Sequence, residues 1–513
     1  MLNRIPAEYG AETVDLDLTF YTAEGDPMIT WQLKEVPCTN PFVLDSKKLP
    51  KEFQIQKPFN GTLLMKIWIN LPDKEVIKKQ RGLFSSTRTF IDFYREGDFV
   101  TSTHDYCQYL PDQGINPSTS GMIPAYCNGT SETFIVIHAT KPGIGPRDLQ
   151  VTLYNEQGNE KRVPLPPFKP FSMRRIMISE LFPDAEIFLG GRLGQVEIEG
   201  NFPQIMKRIA YGIQNKQTGT FSFDHAFHVV DSQMTVEGSI RVPMTAEQRE
   251  RWPKGWFTPF FVIETEQVSS SAILFHSVRD ILPKHIDLLL YDMEGKRLKE
   301  IPSYAYLSKN EVKRVDVREL LLQHGIPLPF IGMVELIYHK DPSYKYYSRV
   351  LDVCVEYNTK GRFGSVIYGS ELWNGPKAIQ NNKYHSCSRI VCNEAQTTYL
   401  AISNCGYTYD YSLSTRFTLN LCSKGGIKRK ATGILGPNAT IFKAIDEFFP
   451  DAQELLAGTQ GVGYSLTTDI DCSYLVHQFM TQDRKSGVFA VEHNINVPVP
   501  NTSISAELVS ITT

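Results

Sequence analysis

Two acid–histidine pairs are the residues of this sequence whose types and spacing best suit chemistry. Asp224-His225 and Glu492-His493 each end a short apolar run, and the two histidines are 268 residues apart. A neutral imidazole can bind a metal ion or transfer protons near pH 7. We therefore predict a ligand or metal site that uses these histidines. The further metal-ligand candidates are His104, His228 and His385.

Packing is the alternative interpretation of these histidines, because a histidine at a strand end can simply hydrogen-bond a neighbouring domain. The sequence contains no Gly-x-Ser-x-Gly, no phosphate-binding Gly-x-x-x-x-Gly-Lys-Ser/Thr and no His-Glu-x-x-His motif. We therefore expect a protein without enzymatic activity, and the sequence identifies no cofactor. A metal-dependent enzyme that uses the acid–histidine pairs is a further alternative.

Aromatic residues give a second candidate site. "RERWPKGWFTPFF" places Trp252 and Trp256 around a turn, and "SYKYYSR" places Tyr344 and Tyr346 on one face of a strand. Sugar rings stack their apolar C–H face on indole and phenol rings. These four aromatic residues therefore predict a site for a sugar or another small polar ligand, with burial in the core as the alternative.

The elements that position these residues recur along the chain. "SELFPDAEIFLGG" and "DEFFPDAQELLAG" place Pro183 and Pro450 267 residues apart. Turn glycines recur at Gly25, Gly158, Gly295 and Gly425, and a glycine that opens an alternating strand recurs at Gly61, Gly194, Gly332 and Gly461. A Gly-x-Phe ending recurs at Phe84, Phe221, Phe363 and Phe489. We predict four copies of a unit of about 130 residues.

Each unit is predicted to fold as an antiparallel β-sandwich, so the fold class is all-β. Short β-branched and aromatic runs alternate with Gly and Pro turns, which is typical of two-layer sheets. The Phe-Pro-Asp-Ala corner should carry the chain between sheets, with Phe182 and Phe449 buried. Ser179 is expected to cap a helical turn there, and Asp316 and Glu319 to cap a true helix.

The predicted domains are residues 1–98, 125–230, 255–365 and 384–497, joined by long connections. Copy one lacks the opening strand of the others. We expect the C-terminal strand, 498–513, to complete it or to pair with a neighbouring chain. The connection at 231–254 holds a predicted capping box at Thr245 and Gln248.

Composition restricts the class of protein. The chain of 513 residues has a formal net charge of −3, which argues against nucleic acid as a partner. No stretch has the ~20 apolar residues of a membrane span, and the N-terminal residues do not form a secretory signal. Nine scattered cysteines without Cys-x-x-Cys favour reduced thiols and a cytoplasmic location, while Cys107–Cys127 and Cys387–Cys392 are alternatives for disulfides.

The order of features resembles the small bacterial β-sandwich of sensory rhodopsin transducer-like proteins. The shared order is an apolar strand ending in His or Asn, a hairpin with an acidic residue before Gly, a proline-marked crossover and a glycine-led strand. The resemblance implies a small-molecule-binding, oligomer-forming sandwich without catalysis, with ligand sites between units. The expected function is thus a binding or scaffold protein. The alternative is a structural protein that forms a homo-oligomer or a larger particle or layer.

Overall fold

In a computed structural model, the chain consists almost entirely of antiparallel strands. The structure describes residues 12–37, 41–44, 60–69, 90–95, 99–104, 115–139, 143–203, 209–231, 242–243, 256–275, 284–308, 310–338, 346–347, 353–359, 362–368, 384–405, 411–468, 474–493 and 495–498. Within them lie seven antiparallel sheets of three to five strands and two strand pairs. The predicted all-β class is confirmed.

The strands fall into four segments along the chain. Segment one (12–104) contains β1 (Thr13–Thr22), β2 (Pro27–Pro37), β3 (Gly61–Ile69), β4 (Phe90–Arg95) and β5 (Phe99–His104). Segment two (115–231) contains β6 (Ile115–Ala125), β7 (Ser131–His138), β8 (Leu149–Tyr154), β9 (Glu160–Pro164), β10 (Met173–Met177), α1 (Ile178–Leu181), α2 (Ala185–Leu189), β11 (Gly194–Pro203), β12 (Ala210–Asn215), β13 (Phe221–His225) and β14 (Phe227–Asp231).

The other two segments follow the same sequence of elements. After β15 (Val242–Pro243), segment three (256–368) contains β16 (Trp256–Glu264), β17 (Val268–Phe275), β18 (Lys284–Asp292), β19 (Arg297–Leu307), β20 (Val312–Asp316), α3 (Val317–Gln323), β21 (Phe330–Tyr338), β22 (Tyr346–Tyr347), β23 (Val353–Thr359) and β24 (Arg362–Tyr368). Segment four (384–498) contains β25 (Tyr384–Val391), β26 (Gln396–Cys405), β27 (Thr415–Ser423), β28 (Gly426–Leu435), β29 (Thr440–Ala444), α4 (Ile445–Phe448), α5 (Ala452–Ala457), β30 (Val462–Thr468), β31 (Tyr474–Asp483), β32 (Phe489–His493) and β33 (Ile495–Pro498).

Segments two, three and four have the same pair of sheets. We call β6-β11-β8-β9, β16-β21-β18-β19 and β25-β30-β27-β28 the front sheets, and β10-β7-β12-β13, β20-β17-β23-β24 and β29-β26-β31-β32 the back sheets. Strands β14 and β33 extend the front sheets of segments two and four. Segment one contributes the sheet β2-β1-β3 and the pair β4-β5 to the described chain, so the complete fourfold repeat stays a prediction.

The four predicted turn glycines all have the left-handed conformation, with φ of +90° at Gly25, +78° at Gly158, +84° at Gly295 and +81° at Gly425. Glycine adopts this conformation without steric cost, so the turn prediction is confirmed. The turns of segments one and three contact the following segment. Met173 of segment two donates its N–H to the Ala23 carbonyl at 2.9 Å, and Thr440 of segment four donates its N–H to the Met293 carbonyl at 2.8 Å.

The predicted position of the glycine that opens the alternating strand is correct for Gly61, Gly194 and Gly332 and wrong for Gly461. A Cβ at Gly194 or Gly332 would lie 2.3 Å from the carbonyl oxygen of Tyr154 or Tyr291. The matching position in segment four is Gly463, whose Cβ would lie 2.5 Å from the Cys422 oxygen. It is not Gly461, which precedes β30. The close approach of a neighbouring carbonyl explains why this ladder position needs glycine.

The Phe-Pro-Asp-Ala corner carries the chain from the back sheet to the front sheet, as predicted. In segment two, α1 and α2 join β10 to β11, and in segment four α4 and α5 join β29 to β30. Phe182 and Phe449 are buried beneath these corners. The repeated motif is therefore structural.

Helix capping differs between the corners. In α3, the Asp316 carboxylate accepts the Glu319 amide at 3.1 Å, so the predicted N-cap is confirmed. Gly325 follows this helix in the left-handed conformation, with φ of +68°. Ser179 was expected to cap its helix, but it lies inside α1. Its amide instead donates to Glu132 at 3.0 Å. A carboxylate from a neighbouring strand therefore takes the role of the cap.

The central strands of the back sheets are buried on both faces. In β17, Ala272 and Leu274 belong to the hydrophobic core of segment three, whereas Ile273 and Phe275 belong to the core shared with segment two. Segment four repeats the pattern, because Ala401 joins the core of segment three and Leu400 does not. Such strands appear in sequence as continuous apolar runs. The outer face of each of these two back sheets is therefore packed against the preceding segment.

The ranges predicted to connect the domains contain strands. The range 99–124 holds β5 and most of β6, so it is structured as strands. Strand β15 in the range 231–254 pairs with β22, while Thr245 and Gln248 lie outside the described residues. Strand β33 pairs with β25 of its own segment. Residues 499–513 lie outside the described residues, so their pairing remains a prediction.

Candidate functional site

Four strands, one from each segment, meet in one place, which we call the central junction; they are β5, β13, β24 and β32. Strand β13 contacts both β5 and β24, and β32 contacts the same two strands. The Phe223 amide of β13 donates to Thr101 Oγ1 of β5 at 2.9 Å, and Thr101 is fully buried. Residues from all four segments are therefore brought together here.

The strand register places His225 and His493 at the same position of their segments. His225 is opposite Ala210 across the β12–β13 ladder, and His493 is opposite Gln478 across the β31–β32 ladder. The equivalence inferred from their spacing is therefore consistent with the topology. The third member of this set is Tyr368, opposite Cys354.

The two imidazoles face each other at the central junction. Their ring centroids are 6.3 Å apart, and the ring planes are nearly perpendicular at 88°. Residue His225 is 1% exposed, whereas the side chain of His493 is 16% exposed. The site is therefore closed on the side of His225 and reachable by solvent on the side of His493.

Hydrogen bonds orient each acid–histidine pair. His225 Nδ1 lies 3.0 Å from the Ala226 carbonyl oxygen, which places a proton on that nitrogen because a carbonyl can only accept. The Asp224 carboxylate accepts the His225 amide at 2.7 Å, and the Glu492 carboxylate accepts the His493 amide at 2.8 Å. Glu492 Oε1 is also 3.5 Å from His493 Nε2. The arrangement offers imidazole donors and acceptors beside two buried carboxylates.

The other predicted histidines are not all equivalent to this pair. His104 ends β5 and therefore reaches the central junction by backbone position. His385 lies in β25, the opening strand of segment four, whereas His104 ends β5, so the two histidines are not at equivalent positions. His228 lies in β14 at the edge of a front sheet. Among the side chains that the structure describes, no three His, Cys, Asp or Glu residues are arranged to hold a metal ion.

Two of the four residues of the predicted aromatic site are not among the residues that the structure describes. Trp252 and Tyr344 lie outside the described residues. Trp256 begins β16, and Tyr346 in β22 pairs with Pro243 of β15. The sugar or small-ligand role of these four residues remains a prediction.

A buried polar network at the contact between segments two and three was not predicted from the sequence. The Tyr126 hydroxyl donates to Glu356 at 2.7 Å, and Arg314 lies 3.3 Å from the same carboxylate. Burial, followed by the charge of Glu356, raises the pKa of Tyr126 well above its ordinary value. Burial also raises the pKa of Glu356. No local motif reveals this network, because its three residues come from distant positions in the chain.

A second buried carboxylate, Glu335, lies on the face of β21 whose residues Met333 and Ile337 pack into the core of segment four. Glu335 of β21 is 2% exposed, and Tyr291 is its hydrogen-bonding neighbour at 3.4 Å. Burial raises the pKa of Glu335 to about 8, so this carboxyl is mostly protonated at neutral pH. The sequence "GMVELIY" shows an acidic residue, Glu335, within an apolar strand, but it does not show that this residue is buried.

Cys387 and Cys392 are both buried, but they belong to different hydrophobic clusters. Their side chains therefore do not face each other, which argues against the disulfide alternative between them. Cys107 lies outside the described residues.

Comparisons with known proteins add no assignment. No protein-family model matches the chain, and no curated protein is significantly similar to it. The likeness to the sensory rhodopsin transducer-like sandwich thus remains a resemblance in the order of features. In the described part of the chain, no helix combines the length and the apolar character that crossing a lipid bilayer requires.

Proposed function

We propose that this protein is a non-enzymatic binding and scaffold protein whose central junction holds a small polar ligand, such as a sugar. The approach of His225 and His493 supports the proposal most directly. Equivalent positions of two segments supply the two imidazoles, and two carboxylates lie beside them. A few convergent polar groups at a contact between domains are typical of small-molecule sites.

The accessible half of the junction is the part that a ligand would contact first. The His493 side chain retains 16% exposure and adjoins the buried Glu492. Imidazole and carboxylate together can donate to and accept from hydroxyl groups. A ligand that carries several hydroxyls therefore suits the site better than an apolar one.

Calorimetric titration of the full chain with a panel of neutral and acidic sugars tests the proposal. His493→Gln and Glu492→Gln should weaken the binding of any sugar that the wild-type protein binds by about tenfold each, since each change removes a hydrogen-bonding group. His285→Gln is the control, because His285 is exposed on β18, a front-sheet strand, and its ring packs edge-on against Tyr306. Absence of saturable binding, or equal affinity in all three variants, would argue against the ligand site.

Assembly into a larger particle is the separate alternative, and mass in solution distinguishes it. The scaffold proposal expects the mass of one chain, 58.2 kDa, or a small defined oligomer. A concentration-dependent series of large species in light scattering would favour the structural alternative.

A further inference from the structure

Trp68 is an exposed indole on the face of the first sheet that also carries Asp15 and Asp17. The residue is 56% exposed, and it is not among the side chains that pack against the core formed around Val14 and Leu16. Its Nε1 donates to Asp17 Oδ2 at 3.0 Å. The hydrogen bond fixes the orientation of the ring without burying it.

Polar side chains surround this indole on the same sheet face. In the ladders that join β3, β1 and β2, Lys66, Asp17 and Gln32 are directly opposite one another. One row further, Thr19 and Thr30 share a hydroxyl–hydroxyl contact of 3.1 Å. Lys66, Gln32 and Thr30 are exposed. The face therefore offers fixed donors and acceptors next to an open aromatic ring.

The fold itself does not require an indole at this place. Trp68 lies seven residues after Gly61, and the matching position after Gly194 in segment two is the exposed Asn201. A polar residue thus occupies the same site in a sheet of the same topology. The ring therefore adds exposed aromatic surface that the sheet does not need for folding, and its hydrogen bond to Asp17 holds it in place for a ligand to stack on.

We propose that this sheet face binds a neutral oligosaccharide, with one pyranose ring stacked on Trp68. A pyranose with equatorial hydroxyls presents axial C–H groups to an aromatic face, while its hydroxyls reach outward to side chains such as Asp17 and Gln32. Charges on this face are balanced: Lys34 pairs with Asp15 at 3.0 Å, and Lys66 lies opposite Asp17. That balance favours an uncharged ligand over a phosphate or a sulfated chain. The open sheet face suits a chain of sugars better than one ring.

Titration of the full chain with cellohexaose and mannohexaose, followed by calorimetry, tests the inference. Trp68→Ala should weaken binding of the sugar that binds by at least about tenfold, because the indole supplies the main apolar contact. Trp68→Phe should retain part of the affinity, and Asp17→Ala should weaken it through loss of both an acceptor and the ring orientation. Ile434→Ala is the matched control, since Ile434 is 67% exposed on β28.

Two results would overturn the inference. One is no saturable binding of either hexaose by the wild-type protein. The other is equal affinity in the Trp68→Ala and Ile434→Ala variants. Unchanged thermal unfolding of both variants excludes a folding defect as the cause of lost binding. The inference is independent of the central junction, because a loss of hexaose binding in Trp68→Ala reports on this sheet face and not on the two histidines.

Discussion

Tyr126 and Glu356, which are 230 residues apart in sequence, are joined by a hydrogen bond of 2.7 Å between segments two and three. Glu356 is fully buried, and Arg314 completes the network at 3.3 Å. A buried carboxylate is tolerated when donors and a cation surround it. The contact between these segments therefore depends on three side chains acting together.

Replacement of Arg314 tests whether the network depends on its charge. Arg314→Met leaves Glu356 buried without a charge partner, so the free energy of unfolding should fall. We expect a loss of about 2 kcal/mol, less than for a fully buried ion pair, because Arg314 is partly exposed. The double variant Arg314→Met/Glu356→Met should regain much of the loss. Urea denaturation measures both. Arg297→Met, which breaks an exposed pair with Glu300, should cost well under ~1 kcal/mol, and a larger cost there than at Arg314 would contradict the argument.

The docked turns predict a difference between two glycines of equal backbone conformation. Gly295→Ala would place a Cβ 2.1 Å from the Pro437 oxygen, whereas at Gly425 the nearest atom is Lys428 Nζ at 3.8 Å. Both substitutions destabilise the protein by about 1 kcal/mol because alanine disfavours the left-handed conformation. Only Gly295→Ala must also displace the backbone of the neighbouring segment. We expect Gly295→Ala to cost at least ~2 kcal/mol in chemical denaturation. Similar costs at both sites would show that the contact between segments yields easily.

Glu335 should make stability depend on pH. The unfolded carboxyl ionises near 4.5, and the buried one near 8, so the folded state binds one more proton between these values. The free energy of unfolding should therefore fall as pH rises through this window, by up to ~1.4 kcal/mol per pH unit. Glu335→Gln cannot ionise, so its stability relative to wild type should increase from pH 5 to pH 8.

Urea denaturation at several pH values between 5 and 8 measures this difference. Glu266→Gln, in an exposed turn, serves as the control and should follow wild type. A constant difference between Glu335→Gln and wild type across the range would refute the burial of an uncharged carboxyl.

The caps predict a smaller effect. Asp316→Ala removes the acceptor of the Glu319 amide in α3 and should cost about 1 kcal/mol. Asp184 also stands at an N-cap, that of α2, but its side chain accepts no capping bond. Asp184→Ala should therefore cost less than Asp316→Ala in thermal or urea unfolding, and the reverse order would contradict this assignment of the cap.

The sequence predicted the features that local backbone chemistry determines. Turn glycines and the buried Phe182 were found because they depend on residues close in sequence. The choice between Gly461 and Gly463 was missed, since a shift of two residues keeps a strand's facing pattern unchanged. Only the nearby Cys422 carbonyl identifies the right one.

For the candidate site, the sequence indicated which residues are equivalent but not how close they lie in space. Spacing related His225 to His493, but their 6.3 Å separation depends on how four segments pack around one another. The Tyr126 network and the exposed face of Trp68 likewise depend on pairing between distant strands. Such contacts leave no periodic signal in the sequence.

The strands with two apolar faces have a consequence for how this molecule comes apart. Ile273 and Leu274 are adjacent in β17 but belong to different hydrophobic cores. Segment three therefore cannot separate from segment two without exposing apolar surface on both. The segments are thus not independent domains joined by linkers. Limited proteolysis or gene truncation at a boundary should yield aggregation rather than a smaller soluble piece, and unfolding should spread from one segment to its neighbours.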